Sequence, residues 1–273
     1  MRCNSPIQII HALSGYPIEV RCGQCLPCRI RKQKVWAFRN LLEFHQHSHS
    51  AFVTLTYRDG ERPENIDYSH FSKFLKRLRK KHTGTRIRYF ACGEYGTKSG
   101  HAHFHALIYG IPFQERGLCH IAQWPCGFAY IGTVTPQSIN YTARYLLKGG
   151  PRGDEFLTGM SLKPGIGENG LLMLGHSMAL HKMPWNKNTP SLQHGDGYYP
   201  LDSYCRNKIA EGVREAGGLV QHDYTPLQSG LHAHQAFKLE LLTGDPVARA
   251  TQVRRSFALW SERQRMENSR EQI

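Results

Sequence analysis

The stretch HAHFHALIYG, His101 to Gly110, puts histidines at positions 101, 103 and 105 and follows them with the apolar run Ala-Leu-Ile-Tyr. Residues two apart in a strand point to one face, so this reads as a β-strand with a row of imidazoles along one side. The preceding GTKSG, 96–100, is bounded by glycines like a hairpin loop. Before it, RIRYFACGEYG, 86–96, reads as a second strand. Counting back through that loop brings Glu94 opposite His103 or His105, on the same face.

Further out, SAFVTLTY, Ser50 to Tyr57, alternates and is rich in β-branched residues, which predicts a strand. RDGERPEN is a loop. DYSHFSKFLKRLRKKH opens on Asp67 as an N-cap and lines up Phe71, Phe74, Leu75 and Leu78, an amphipathic helix. GFAYIGTV, 127–134, is a fourth strand. SINYTARYLLKGG is a short helix with Ser138 as N-cap and Gly149 as its stop. The order strand, helix, strand, strand, strand, helix predicts an α+β fold: an antiparallel sheet flanked by helices, expected on one face. Upstream, RKQKVWAFRNLLEF spaces Val35, Phe38, Leu41 and Leu42 as a helix. After Gly150 the pattern weakens. LKPGIGENG and NTPSLQHGDGYYP read as loops, with helices near 202–216 and 247–264. No internal repeat is visible. The expected organisation is a cysteine-containing segment with a basic helix over 1–49, a core over 50–165 and an accessory helical and loop region over 166–273.

The chain of 273 residues carries a formal net charge of +14 with a pI near 9.5, which favours a polyanionic partner such as nucleic acid. The positive charge is clustered. Residues 21–39 hold Arg21, Arg29, Arg31, Lys32, Lys34 and Arg39 without an acid. Residues 73–88 hold Lys73, Lys76, Arg77, Arg79, Lys80, Lys81, Arg86 and Arg88, again without one. Such blocks fit a surface that tracks phosphates; the alternative is a solvated helix face. No run of about 18 apolar residues exists, which excludes a membrane-spanning helix, and the N-terminus has no signal-peptide core. The expected location is cytosolic, where the eight cysteines serve as thiols or metal ligands rather than disulfides.

Imidazole nitrogens on one strand face, joined by the Glu94 carboxylate, make a three-ligand site for a divalent cation with open positions for water or substrate. The alternative is half-buried sheet histidines in a chain that has 16 of them. His101 is set aside as lying beyond the strand end. In YTARYLLK, Tyr141 and Tyr145 are four apart and share a helix face, with Lys148 on the same stripe. They could simply pack at the core edge. A phenol oxygen is also a nucleophile once deprotonated, and a metal-polarised phosphate is its natural target.

Taken together, these motifs resemble the HUH endonucleases, named for histidine–bulky apolar–histidine, here His103-Phe104-His105. FVTLTY looks like the first motif of the replication-initiator branch, and YTARYLLK like the third in its two-tyrosine version. CGEYG and HFHALIYG, followed by MSLKPGIG, resemble the replication initiators of microviruses, small single-stranded DNA phages, and VRCGQCLPCR fits that group too. His101-Ala102 stands where relatives often show Arg-Pro. The resemblance spans roughly residues 20–170. It implies rolling-circle replication in the cytoplasm of a bacterial host. One strand of the double-stranded replicative form is nicked at the origin, a tyrosine becomes linked to the 5′ phosphate, and a second tyrosine releases and closes the circle. Mg2+ or Mn2+ is the implied cofactor at His103, His105 and Glu94. Tyr141, Tyr145 and Lys148 are the implied catalytic residues, and Arg144 or Lys148 the phosphate contact. Arg29, Arg31, Lys32, Lys73, Lys76, Arg77, Arg79, Lys80 and Arg144 are the expected DNA-binding residues. The partners are replicative-form DNA, single-stranded origin DNA and a host helicase.

CGQCLPC supplies Cys22, Cys25 and Cys28, and Cys3 a fourth thiol, a candidate Zn2+ site. An iron–sulfur cluster or free thiols are the other readings. Cys92, Cys119, Cys126 and Cys205 show no such grouping. The rival functions are a non-catalytic, zinc-stabilised nucleic-acid binder, or a plasmid initiator, relaxase or transposase of the same chemistry.

Overall fold

The structure, a computed structural model, describes residues 2–10, 17–96, 100–148, 157–194 and 197–221, with the side chains of 146–148, 157 and 194 outside the description. Ile7–Ile10 (β1) and Pro17–Val20 (β2) pair antiparallel into a ribbon. Leu26–Phe44 forms α1, which buries Val35, Phe38 and Leu41 as their spacing predicts. Strand β3 (Ser50–Tyr57) alternates partly and fully buried residues along its length. Helix α2 (Tyr68–Lys81) starts at Asp67, whose carboxylate accepts the Ser69 N–H at 2.7 Å. Then follow β4 (Arg88–Tyr95), β5 (Ala102–Tyr109), a short β6 (Gly117–Cys119), β7 (Gly127–Gly132), α3 (Pro136–Lys148) and β8 (Leu157–Met160). Helix α4 (Glu168–Leu180), β9 (Trp185–Asn186), β10 (Ser191–His194), β11 (Gly197–Pro200), α5 (Ser203–Glu215) and β12 (Val220–Gln221) complete the described chain.

The central sheet has six antiparallel strands in the order β6-β7-β3-β5-β4-β8, so the α+β reading holds. The helices, expected on one face, cover both. Ala51, Val53 and Leu55 of β3 and Phe104, Ala106 and Ile108 of β5 pack against Phe71, Phe74, Leu75 and Leu78 of α2. On the other face Phe90, Leu107 and Tyr109 pack against Ala37 and Leu41 of α1 and Ile139 and Ala143 of α3. β4 and β5 are buried on both sides, which is why their sequences do not alternate. The cap of α3 is Thr135 rather than Ser138. Thr135 and Ser138 exchange backbone-to-hydroxyl bonds of 2.8 and 3.2 Å, a reciprocal cap, with Pro136 as first helical residue. Gly149 lies outside the described residues, as does the helix expected near 247–264.

By contacts the chain divides into two compact units: residues 2–170 with 193–200, and, of the described residues, 171–192 with 201–221. In the second, α4 and α5 meet at two glycines. A Cβ on Gly175 would lie 2.3 Å from the Ile209 carbonyl oxygen, and one on Gly212 2.2 Å from that of Leu172. Asp202 caps α5, as the expected 202–216 helix requires. Two stretches expected as loops hold structure: the start of α4 within LKPGIGENG, and β10 and β11 within NTPSLQHGDGYYP.

Two arginines of the basic blocks are structural. Arg39 is buried, donates to the Ile166 carbonyl at 2.8 Å and lies 4.1 Å from the Trp36 ring centroid. Arg88 is buried against Glu43 and also donates to the carbonyls of Pro164 at 2.8 Å and Gly165 at 2.9 Å. Glu43 further accepts the Gly167 N–H at 2.7 Å and bonds His47 at 3.1 Å. Burial alone would raise the Glu43 carboxyl, but bonds from His47, Arg88 and the Gly167 N–H bring it down to about 2 from its ordinary 4.5. A lowered folded-state pKa means that this contribution is present above about pH 4.5 and is lost as the pH falls toward 2; by linkage it is about 3 kcal/mol. Glu43→Gln is expected to cost roughly 3–5 kcal/mol, because Arg88 keeps a buried charge without its counterion. Glu43→Leu with Arg88→Met is expected to recover much of that loss. Urea unfolding at pH 7 and pH 4 checks this; a single variant as stable as wild type at both pH values would mean that the buried pair does not stabilise the fold.

Candidate active site

Three strands and a helix converge on the histidine face. Glu94 on β4 is paired directly with His103 on β5, as the hairpin count predicts. The Glu94 Oε1 lies 3.0 Å from His103 Nε2 and 3.4 Å from His105 Nε2. Within this trio one ligand atom from each residue lies within 4.8 Å of the others. Two imidazole nitrogens and a carboxylate oxygen suit a divalent cation.

Each imidazole is oriented from behind. His103 Nδ1 faces the carbonyl oxygen of His101 at 3.0 Å. A carbonyl only accepts, so Nδ1 carries the proton and the Nε2 lone pair points at the ligand position. His105 Nδ1 bonds Thr54 Oγ1 at 2.9 Å, and Phe52 stacks on the His105 ring with centroids 5.8 Å apart. Neither Thr54 nor Phe52 stands out in the sequence. Their role depends on β3 lying beside β5, a pairing across more than 40 residues of chain. The His101 ring takes a bond from Arg62 at 2.6 Å and is not in the trio, in agreement with its position beyond the strand end.

Gly93 matters to this arrangement. A Cβ there would lie 2.6 Å from Ile66 Cδ1 and 2.8 Å from Phe104, so only glycine lets β4 sit this close while Glu94 faces the histidines.

Helix α3 brings both tyrosines to the same face. Tyr141 is 38% exposed, with its hydroxyl 3.5 Å from His105 Nε2, whereas Tyr145 is 5% exposed. The Tyr145 ring stacks on His105 with centroids 5.1 Å apart, and its hydroxyl donates to the Tyr141 oxygen. Burial first, then the bonds to Tyr141 and Glu94, push the Tyr145 phenol well above its ordinary value. Arg144 is exposed and sits 5.9 Å from the Tyr141 ring centroid. The Lys148 side chain lies outside the described residues.

The expected DNA-binding residues fall on both sides of the sheet. Lys73, Lys76, Arg77, Arg79 and Lys80 are on α2, which covers the face opposite the histidines. Arg29, Arg31 and Lys32 are on α1, on the histidine side, where Gln33 bonds the Asn140 carbonyl at 3.4 Å, next to Tyr141. Sequence reading passed over an aromatic pair on this face. Thr56 and Thr54 lie between His103 and His105 on one side and Phe128 and Tyr130 on the other. At roughly 4.8 Å per strand, those rings are about 10 Å from the histidines. Phe128 is 38% exposed, Tyr130 is 47% exposed, and the His120 ring centroid lies 4.4 Å from that of Phe128. The signal was present in GFAYIGTV, whose outward positions carry aromatics instead of polar residues.

The four thiols Cys3, Cys22, Cys25 and Cys28 also gather, each Sγ within 4.8 Å of the others. Bonds led by the Asn4 backbone bring the Cys25 thiol down to about 6, and burial takes Cys28 up to about 11. Among the described residues, no helix is long and apolar enough to cross a membrane.

Residues 50–150 match the family model for the replication-associated protein ORF2. The chain is 35% identical over 157 residues to the replication-associated protein ORF2 of Spiroplasma virus 4, covering 48% of each. It is 27% identical over 162 residues to the replication-associated protein ORF4 of Chlamydia phage 1, covering 50% of this chain and 40% of that one. To the replication-associated protein VP4 of Bdellovibrio phage phiMH2K it is 28% identical over 149 residues, 46% and 47% of the two. The chain spans less than half the length of each of these relatives. No solved structure matches it. Residues 50–150 of this chain, which hold the histidine strand, Glu94 and both tyrosines, thus belong to the replication-associated protein ORF2 family, and the three relatives are replication proteins of small single-stranded DNA phages.

Proposed function

We propose that this chain is a replication initiator endonuclease, which nicks origin DNA in rolling-circle replication and rejoins it through a 5′-phosphotyrosine intermediate. The observation that carries the reading is the 3.5 Å approach of the Tyr141 hydroxyl to His105 Nε2, inside a trio suited to a divalent cation. Mg2+ or Mn2+, held by His103, His105 and Glu94, supplies Lewis-acid polarisation of the scissile phosphate. Tyr141 is the first nucleophile, being the exposed phenol of the pair. Its oxygen bonds to phosphorus as the bond to the 3′ oxygen breaks, and the leaving 3′ oxygen ends as a hydroxyl able to prime synthesis. Tyr145 supports charge on the Tyr141 oxygen through its hydrogen bond and attacks in the second transfer, which releases and closes the circle. Arg144, beside Tyr141, contacts phosphate, with Lys148 as the second cation. The substrates are replicative-form DNA and single-stranded origin DNA in the cytoplasm of a bacterial host, and a host helicase opens the duplex ahead.

The test is covalency. After incubation with supercoiled origin plasmid and Mn2+ and then denaturation, protein is expected on the 5′ end of the nicked strand. Release of all DNA unbroken would leave a non-catalytic binder. Phe128 and Tyr130 are the expected stacking platform for the single strand. Phe128→Ala and Tyr130→Ala should each weaken binding of single-stranded origin DNA by about 1–3 kcal/mol, roughly 5- to 150-fold, in a fluorescence anisotropy titration. Unchanged affinity in both variants would route the strand elsewhere.

A further inference from the structure

We propose that Cys3, Cys22, Cys25 and Cys28 bind one structural zinc ion, which fastens the β1–β2 ribbon to the start of α1. The site is separate from the Glu94, His103 and His105 trio, and its role does not depend on nicking.

The distances carry the identification. A tetrahedral ion with Zn–S bonds of about 2.3 Å separates neighbouring sulfurs by roughly 3.8 Å. Cys3 Sγ lies 3.5 Å from Cys22 Sγ and 3.7 Å from Cys25 Sγ, and all four sulfurs fall within 4.8 Å of one another. Thiolates around a single ion sit this close. In an iron–sulfur cluster each thiolate binds a different iron or a pair shares one, which spreads the set wider. A disulfide needs about 2.05 Å between sulfurs, and all four cysteines are free.

The backbone is set for sulfur ligands. The Cys22 N–H points to Cys3 Sγ at 3.3 Å, and the Cys25 N–H to Cys22 Sγ at 3.3 Å. Such N–H bonds stabilise thiolate over thiol and fix the direction of the remaining lone pairs. Cys25 is the N-cap of α1, yet its side chain makes no capping bond, which leaves the sulfur for a ligand. Cys28, one turn on, faces the same way and is buried. The positive end of the helix axis favours negative sulfur at both positions. Binding releases thiol protons to solvent and leaves a net dianion, with Arg21 and Arg29 adjoining Cys22 and Cys28 in the chain.

The ribbon needs such a fastening. Every residue of β1 and β2 except Val20 is exposed, including Ile7, Ile9, Ile10 and Ile18. A two-stranded ribbon with no buried face is marginal in water. Cys3 precedes β1 by four residues and Cys22 follows β2 by two, so the ion sits at the ribbon's root, where the two strands enter and leave. Closure there supplies what the missing core cannot.

The experiment uses the full chain carrying His103→Ala and His105→Ala, so that metal at the trio does not contribute. Protein purified under reducing conditions is expected to hold about one zinc per chain by elemental analysis. Cobalt exchange should give a thiolate-to-cobalt charge-transfer band with the intense visible bands of tetrahedral coordination. Cys22→Ser and Cys25→Ser should each bring zinc close to zero. Trypsin should then cut after Arg21 at least tenfold faster, while far-ultraviolet dichroism shows the rest of the chain folded. No zinc in the parent, an octahedral cobalt spectrum, iron with inorganic sulfide, or zinc undiminished in both serine variants would each overturn the proposal.

Discussion

Tyr141→Phe is expected to cut the first-strand nick by at least about 100-fold, while Tyr145→Phe leaves that nick largely intact and blocks joining. The substitution removes one oxygen and keeps a ring. That ring makes edge contacts with His105, centroids 5.1 Å apart, and with Phe52, centroids 6.0 Å apart, so the packing around the trio survives. What remains to attack is Tyr145, which is buried behind and would have to turn its hydroxyl toward the phosphate. A misplacement of about 1 Å is enough for a loss of that size. Counting 5′-linked protein on a denaturing gel at early times separates the two variants. If Tyr145→Phe alone stops the first nick, Tyr145 attacks first and Tyr141 second.

His105→Ala is the second large effect. It should lower nicking by roughly 10³-fold, corresponding to about 4 kcal/mol of the several that a bound cation supplies to a phosphoryl transition state. His105 faces both the Glu94 oxygen and the Tyr141 hydroxyl, so its loss removes a ligand and the group nearest the nucleophile together. Thr54→Val isolates the orienting bond: the ring stays and Nδ1 loses its partner. Metal affinity should then fall about 10- to 100-fold, with nicking restored by excess Mn2+. Titration of Mn2+ against nicking rate measures both. If His105→Ala nicks at the wild-type rate, or Thr54→Val leaves the half-saturating Mn2+ concentration unchanged, the trio is not the metal site.

What could be read from the chain was local in sequence. The two-residue period of His103 and His105 gave a face, and the short hairpin gave Glu94 as the neighbour of His103, because nine residues of chain leave little freedom in register. The apolar stripe and acidic cap of α2 were equally plain. What could not be read depended on distant neighbours. Thr54 and Phe52 become partners of His105 only once β3 pairs with β5. Arg39 and Arg88 look like members of phosphate-binding runs until Ile166 and Glu43 arrive beside them. α4 escaped because ENGLLMLGHSMAL is apolar nearly all round, which leaves no stripe to detect.

Gly93 ties the two sides of the sheet together. Its bare α-carbon is what Ile66 and Phe104 rest against, while the residue after it holds the carboxylate of the trio. The wall between the hydrophobic interior and the chemistry is therefore one backbone thick at this point. Repacking the far side for a larger neighbour would displace the ligand in front, so tolerance for change at Ile66 and Phe104 is bounded by reactivity as much as by stability.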